Sequence, residues 1–338
     1  MPIPKTPREA AVPSPSSHSP PKIPATTTSQ LGIWSDLPRR LTVLLVGIPL
    51  VGFILSRPLT AWLFFQGVHL FASWEWISLV PQKEDGDNAK KEASQNQKSI
   101  ASYLFPLISC TIANVGQRNA DDNDQNSQET FVAALVVAAC IFSLLESNNS
   151  SLSNHLIKGL LFLTIPMRSW NYLSQSFAAT TYILSVVWNC DTGCLLAGRL
   201  SKTFLGESNR IKSPHWLSQI SPSKSVEGML GGLLFGCLTS AAWPMLWKGL
   251  LMFLEFTATD HGGIIGAETL DIMERSVLGL FLSALGIIGD LWESSTKRQG
   301  GVKDSGKLLP GHGGILDRFD SSLLPALFYS YYYYKRYV

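Results

Sequence analysis

Long uncharged runs separated by short polar stretches dominate this chain. Residues 41–56 ("LTVLLVGIPLVGFILS") carry no charge, and "LTAWLFFQGVHLFASWEWISLV" follows at 59–80 after Arg57-Pro58. Further apolar runs lie near 99–116, 130–146, 156–170, 173–198, 228–256, 276–292 and 321–334. They are continuous rather than alternating, which predicts helices and not barrel strands. A membrane span needs about 20 apolar residues. The pattern therefore predicts an all-α, polytopic membrane protein with about nine transmembrane helices, the first run reaching across with its flanks or a Pro-kinked geometry.

Single crossings put the N-terminus and the polar stretches 82–100, 199–227 and 293–320 on one side. Arg39-Arg40 falls there, as do the five Lys/Arg of 199–227 against two Glu, in keeping with the positive-inside rule. Lys335-Arg336 falls on the other side. Residues 1–38 are Pro/Ser/Thr-rich and lack apolar periodicity, so they read as a disordered tail ahead of an integral-membrane domain at 39–338. The tail has no secretory h-region. Its scarcity of acid and wealth of hydroxyls suit an organelle transit peptide, while its Pro content and few Arg suit an ordinary cytosolic tail.

Composition sharpens this picture. Hydrophobic residues make up 46% and charged ones only 15%, against roughly 25% charged in soluble domains. A net charge of +2 argues against bulk nucleic-acid binding. The five Cys, at 110, 140, 190, 194 and 237, form no CxxC pair and read as small buried hydrophobes.

The charge is concentrated at three places. Asp191 sits mid-run in "TYILSVVWNCDTGCLLAGRL", where a carboxylate must face protein or water. "SPSKSVEGMLGG" at 221–232 reads as a helix start, with Lys224 in the first turn and Glu227 three residues on; it is either a phosphate cradle or a surface cap. "GDLWESSTKRQGGVKDSGKLLPGHGGILDRFDS" is the richest. Asp290, Glu293, Ser294 and Lys297 share one helical face, followed by Arg298, Lys303, Asp304, a Pro310-Gly311 break, His312-Gly313-Gly314, and Asp317, Arg318 and Asp320. The glycines could form an anion nest. Hard oxygens with no Cys suit Mg²⁺ better than Zn²⁺. Together these are parts for handling a nucleotide triphosphate at helix ends on one membrane face. "DHGGIIG" at 260–266 repeats the His-Gly-Gly string without the charged flanks and reads as an ordinary loop.

Ser294, Lys297-Arg298, Lys303-Asp304, Gly306, Pro310, His312-Gly313-Gly314, Asp317-Arg318 and Asp320 resemble the signature of phosphatidate cytidylyltransferases (CDP-diacylglycerol synthases). Thr296 stands where that pattern usually has a large apolar residue. "WNCDTGCLLAGR" and "SPSKSVEG", the latter with Ser225 for Thr, resemble two further segments, and the likeness covers roughly 39–334. The resemblance implies a helical membrane enzyme that makes CDP-diacylglycerol and pyrophosphate from CTP and phosphatidate. It implies Mg²⁺, with a monovalent cation such as K⁺ as a further occupant, held by Asp290 and Asp317. Lys297, Arg298, Lys303, Asp304, His312 and Arg318 join these two as expected catalytic residues. Asp191, Lys224, Glu227, Ser294, Gly313, Gly314 and Asp320 are expected to bind substrate. A homodimer is compatible with this reading. So is a plastid or mitochondrial membrane, with the endoplasmic reticulum left open. The rival readings are a CTP-dependent polyprenol or phytol kinase, which would release CDP, and a membrane transporter built on Asp191 and Gly-interrupted spans.

Overall fold

The computed structural model describes residues 50–80, 88–115, 125–144, 150–205, 211–253, 270–306 and 313–337, all within one compact unit, Pro49–Val338. The tail 1–38, most of the run 41–56, the 260–266 loop, Pro310 and His312 lie outside the described residues. Among the described residues every element is helical: α1 Pro58–Ser78, α2 Asn88–Asn114, α3 Gln125–Leu144, α4 Ser150–Gly159, α5 Ile165–Leu173, α6 Phe177–Leu205, α7 His215–Ile220, α8 Val226–Ala241, α9 Trp243–Phe253, α10 Ile272–Gln299 and α11 Leu316–Tyr337. Residues 50–55 form a further helical segment before α1.

Several boundaries differ from the apolar runs, each for a local reason. The stretch 82–100 is expected as a polar loop, yet α2 begins at Asn88, because Ala, Lys, Glu and Gln form helix well without being apolar. A π-helical turn, Leu160–Thr164, joins α4 to α5. Pro166 has no N–H to donate back to Phe162, and the wider turn absorbs that lost bond. The run 228–256 is bent by 66° between α8 and α9, where Pro244 cannot continue the ladder. Helix α11 begins at Leu316, so Asp317, Arg318 and Asp320 lie in its first turns rather than in a loop.

The packing of α8 is inside-out relative to a soluble helix. Gly228, Gly232 and Gly236 face inward at four-residue spacing and are buried, whereas Leu230, Leu234 and Leu238 are 57, 56 and 56% exposed. Helices in lipid associate through small residues that let backbones approach, with apolar side chains turned outward. A Cβ on Gly228 would lie 2.7 Å from the Cys194 carbonyl of α6, and one on Gly279 of α10 2.8 Å from the Gly236 carbonyl. Helix α10 is long and apolar enough to cross a membrane, and the α8–α9 pair passes the same test as one broken span. Among the described residues no further helix or helix pair passes that test. Of the five free cysteines only Cys190 is buried; Cys140 is exposed on an apolar helix, so the expectation of small buried hydrophobes holds for one position.

Helices α6, α8, α10 and α11 form the tightest group. Their contacts run antiparallel. Ser240 near the end of α8 reaches Arg275 at the start of α10 (2.6 Å) and Tyr182 at the start of α6 (2.6 Å), and Tyr332 late in α11 reaches Glu274 of α10 (2.8 Å). Three antiparallel pairings bring the far ends of all four helices together. Helix α1 joins that end, with Leu79 packed on Gly300 and the Ser78 hydroxyl donating to the Ser305 carbonyl (3.0 Å).

Gly228→Val should therefore destabilise the detergent-purified protein by about 1–3 kcal/mol through overpacking of the α6–α8 seam. Gly67→Ala on α1, where an added carbon meets nothing within 4 Å, should stay within about 0.5 kcal/mol of the parent. Thermal unfolding of the two variants checks both values.

Candidate active site at the gathered helix ends

The centre of the site is an ammonium group between two carboxylates. Lys297 of α10 is buried and pairs with Glu293 one turn back on the same helix and with Asp317 of α11 (2.8 Å). A buried charge in an apolar bundle is tolerated only when paired and hydrogen-bonded. Asp317 is correspondingly well supplied. Its Oδ2 accepts the Gly314 amide (2.7 Å), and both oxygens accept the Ser305 amide (3.1 Å each). It thus draws together the two ends of the segment that carries the His-Gly-Gly string.

A second ion pair lies further back along α10. Lys224 pairs with Asp290, whose other oxygen accepts from the Ser294 hydroxyl at 3.4 Å. Lys224 is expected in the first turn of α8, but the helix starts later. Ser225 is the N-cap, its hydroxyl oxygen accepting the Gly228 amide (3.2 Å), while the Ser221 amide closes α7 on Leu217 (2.8 Å). Lys224 therefore sits on the short connection between α7 and α8, free of the helix and aimed at α10. Glu227, at the second position of α8, accepts the Ile211 amide (2.7 Å) and ties the incoming chain to the helix.

Asp191 of α6 meets α11 at the same level, accepting the Ser321 hydroxyl (2.9 Å). Asp290, Lys224 and Arg318 all act electrostatically on it. Asp320 is buried and accepts the Ser321 amide (2.6 Å). Its carbonyl lies 2.6 Å from where a Cβ on Gly289 would stand, so that glycine is what allows α11 to lie against α10 beside Asp290. Asp290 and Asp317 consequently share one helix–helix seam. Asp290 is seven residues before the lysine that holds Asp317, about 10 Å along the axis, and each carboxylate is clasped by its own lysine.

Other predicted residues lie further out. Arg298 is exposed and donates to the carbonyls of Ile220 and Val302 (3.1 Å each), fastening α7 and the turn after α10. Lys303 and Asp304 are exposed on that turn, and their side chains bond no other described residue. Arg318 is exposed on α11. The glycine pair, expected as an anion nest, is packed differently: the Gly314 amide is given to Asp317, and its Cα face has no room for a Cβ against Ser305 and Glu75. Gly313 takes φ +80°, with Asp317 Oδ2 2.6 Å from a built Cβ.

Glu75 of α1 is the residue the sequence reading missed. It is buried, and it accepts the amides of Ile315 (3.1 Å) and Leu316 (2.8 Å) and the hydroxyl of Ser305 (3.1 Å). The one available signal was a carboxylate inside an otherwise uncharged run, "FASWEWISLV", the same signal that singled out Asp191.

The donor set can be tested against Mg²⁺, which the resemblance implies. Among the described residues no three His, Cys, Asp or Glu side chains converge closely enough to cage a metal. Mg²⁺ is usually held by one or two carboxylates, with substrate phosphates and water completing the shell. Asp290 and Asp317 offer that number of hard oxygen ligands, and each already holds a positive group. The residues fit.

The description of the cytidylyltransferase family matches residues 38–336 of the chain. Among curated proteins the chain is similar to phosphatidate cytidylyltransferases of Staphylococcus haemolyticus (40% identical over 148 residues, 43% of this chain and 46% of the relative), Haemophilus influenzae (33% over 153 residues, 45% and 44%) and a Staphylococcus aureus strain (38% over 156 residues, 46% and 49%). The matched part spans about half the length of these relatives.

Gly313→Ala and Gly301→Ala should separate backbone strain from local contact. Both positions have positive φ, but only Gly313 faces a neighbour. Each alanine should cost about 1–2 kcal/mol for the left-handed backbone. Gly313→Ala should cost about 1 kcal/mol more through its contact with Asp317. Chemical or thermal unfolding of the two variants reads the difference.

Proposed function

From the premise that the chain belongs to the cytidylyltransferase family across residues 38–336, we propose that it is a membrane-embedded phosphatidate cytidylyltransferase, transferring the CMP unit of CTP to phosphatidate and releasing pyrophosphate. The observation that carries this reading is the gathering of Asp191, Lys224, Asp290, Lys297 and Asp317 at one end of a bundle that exposes many large apolar side chains. Such an arrangement suits a substrate whose tails stay in lipid while its phosphate meets a water-soluble nucleotide. The names of the curated relatives point to the same chemistry.

In the reaction a phosphate oxygen of phosphatidate forms a bond to the α-phosphorus of CTP. The bond from that phosphorus to the bridging oxygen breaks, and pyrophosphate leaves with the electron pair. The nucleophile is already an anion, so no general base is required, and positioning and charge neutralisation supply the catalysis. Lys224 and Lys297 are the cationic groups nearest the centre and would turn from carboxylate to phosphate as the substrates bind. Arg318 and Lys303, exposed at the rim, would receive the incoming triphosphate. Ser321 holds Asp191 in place, and the Ser305 and Gly314 amides hold Asp317. Asp290 and Asp317 would hold Mg²⁺, whose contribution when bound is to neutralise developing charge on the triphosphate. His312 is assigned to this machinery on the sequence resemblance alone.

Purified full-length chain in phosphatidate-containing vesicles, given labelled CTP and Mg²⁺, should produce a CMP-bearing lipid and pyrophosphate in equal amounts, and chelation of the metal should stop turnover. Release of CDP would instead identify a lipid kinase, and CTP-independent flux a transporter. Asp290→Asn should lower the rate by about a hundredfold or more with protein levels unchanged; Asp317→Asn should lower it as far per molecule of folded protein, and because it also takes a partner from buried Lys297 its rate is normalised to the folded fraction. Normal turnover in either would overturn its assignment as a metal ligand.

A further inference from the structure

The carboxylate of Glu75 has no place in the reaction as described, yet it is among the most heavily used polar groups in the molecule. It lies on α1, more than two hundred residues in sequence from the groups it touches. One oxygen accepts the Ile315 amide; the other accepts the Leu316 amide and the Ser305 hydroxyl. Ile315 and Leu316 stand at the very start of α11, where backbone amides lack partners within the helix. A carboxylate there satisfies two of them and interacts favourably with the helix dipole. Helices normally take this cap from the residue just before them; here Ile315 cannot provide one, and α1 supplies it from outside.

Ser305 links this cap to the reaction centre. Its hydroxyl donates to Glu75 while its amide donates to Asp317. Glu75 and Asp317 therefore grip the same neck, each bonded both to Ser305 and to the 314–316 backbone. Glycine at 306 and at 314 leaves no space beside Glu75 for a Cβ. Ser78 and Leu79, one turn further along α1, hold the same segment at the Ser305 carbonyl and at Gly300.

We propose that Glu75 is a positioning residue: it fixes the neck formed by Ser305 and Gly314–Leu316, and through Ser305 it sets the orientation of Asp317 toward Lys297. It touches no substrate in this account. The N-terminal helices thus contribute to the chemistry through one carboxylate. The kinetic consequence rests on the cytidylyltransferase reading; the structural one does not.

The test uses the full chain in nanodiscs, as wild type, Glu75→Gln and Glu75→Ala. Two readouts are taken: hydrogen exchange of the amides across 313–320, and the split between kcat and KM for CTP. Glutamine keeps one acceptor oxygen and the side-chain volume; alanine keeps neither. Exchange at Ile315 and Leu316 should rise about tenfold or more in Glu75→Ala and less in Glu75→Gln, with helices α6 and α8 unchanged. Turnover should fall about tenfold to a hundredfold in Glu75→Ala, with partial recovery in Glu75→Gln and KM within about threefold of wild type. Unchanged exchange at 315–316 in Glu75→Ala overturns the proposal, as does altered exchange with unaltered kcat. A rise spread evenly over every helix in both variants also overturns it, because Glu75 would then hold the whole bundle. If the wild type turns over no CTP, the functional reading fails while the exchange measurement still judges the neck.

Discussion

A positive charge buried among apolar helices constrains everything around it. Lys297 is only 8% exposed and Glu293 not exposed at all. An ammonium in that setting is stable only with negative partners in contact. Glu293, four residues earlier on α10, supplies one; the second must come from another helix, and Asp317 of α11 is that partner. The start of α11 is therefore tied to the end of α10. From this follow the convergence of the Ser305 and Gly314 amides on Asp317 and the burial of Asp320 beside Gly289.

Close approach is what makes this pairing reachable. Glycines at 286 and 289 let the α11 backbone lie against α10, and those at 228, 232 and 236 let α8 lie against α6 and α10. Leu230, Leu234 and Leu238 of α8 face outward, while residues such as Phe65, Trp76, Trp170 and Tyr182 pack inside the bundle. The polar centre, the small-residue seams and the apolar side chains exposed on the exterior go together: in lipid there is little hydrophobic drive between helices, so packing and polar contacts must hold them. Antiparallel pairing then collects the charged ends of α6, α8, α10 and α11 at one place. Membership of the cytidylyltransferase family gives that collection its proposed chemistry.

Much of this was legible in the chain. Continuous apolar runs predict helices, and the spacing of Asp290, Glu293, Ser294 and Lys297 predicts a shared face, which the structure bears out at the Lys297–Glu293 and Ser294–Asp290 contacts. What the runs misplace are helix ends, because charged residues such as those of 88–98 and 293–299 extend a helix without being apolar. The start of α8 was misjudged because Ser221 and Ser225 are equally good caps on paper; backbone geometry chooses Ser225. Glu75 escaped notice for a deeper reason. Its partners are backbone amides at Ile315 and Leu316, and no side-chain pattern announces which distant carboxylate will cap them. The glycine pair 313–314 looked like an opening for phosphate, but its first neighbours are Asp317 and Glu75, a relation visible only once α1 is placed.

A double-mutant cycle on Lys297 and Asp317 tests the central interaction most directly. Lys297→Met, Asp317→Asn and the combined variant are compared with wild type by reversible unfolding in mixed micelles. The account predicts a coupling energy of about 1.5 kcal/mol or more, the double variant losing less than the sum of the singles because each single change leaves a buried charge without its partner. Additivity within about 0.5 kcal/mol would mean that the two groups do not depend on each other and would contradict the account.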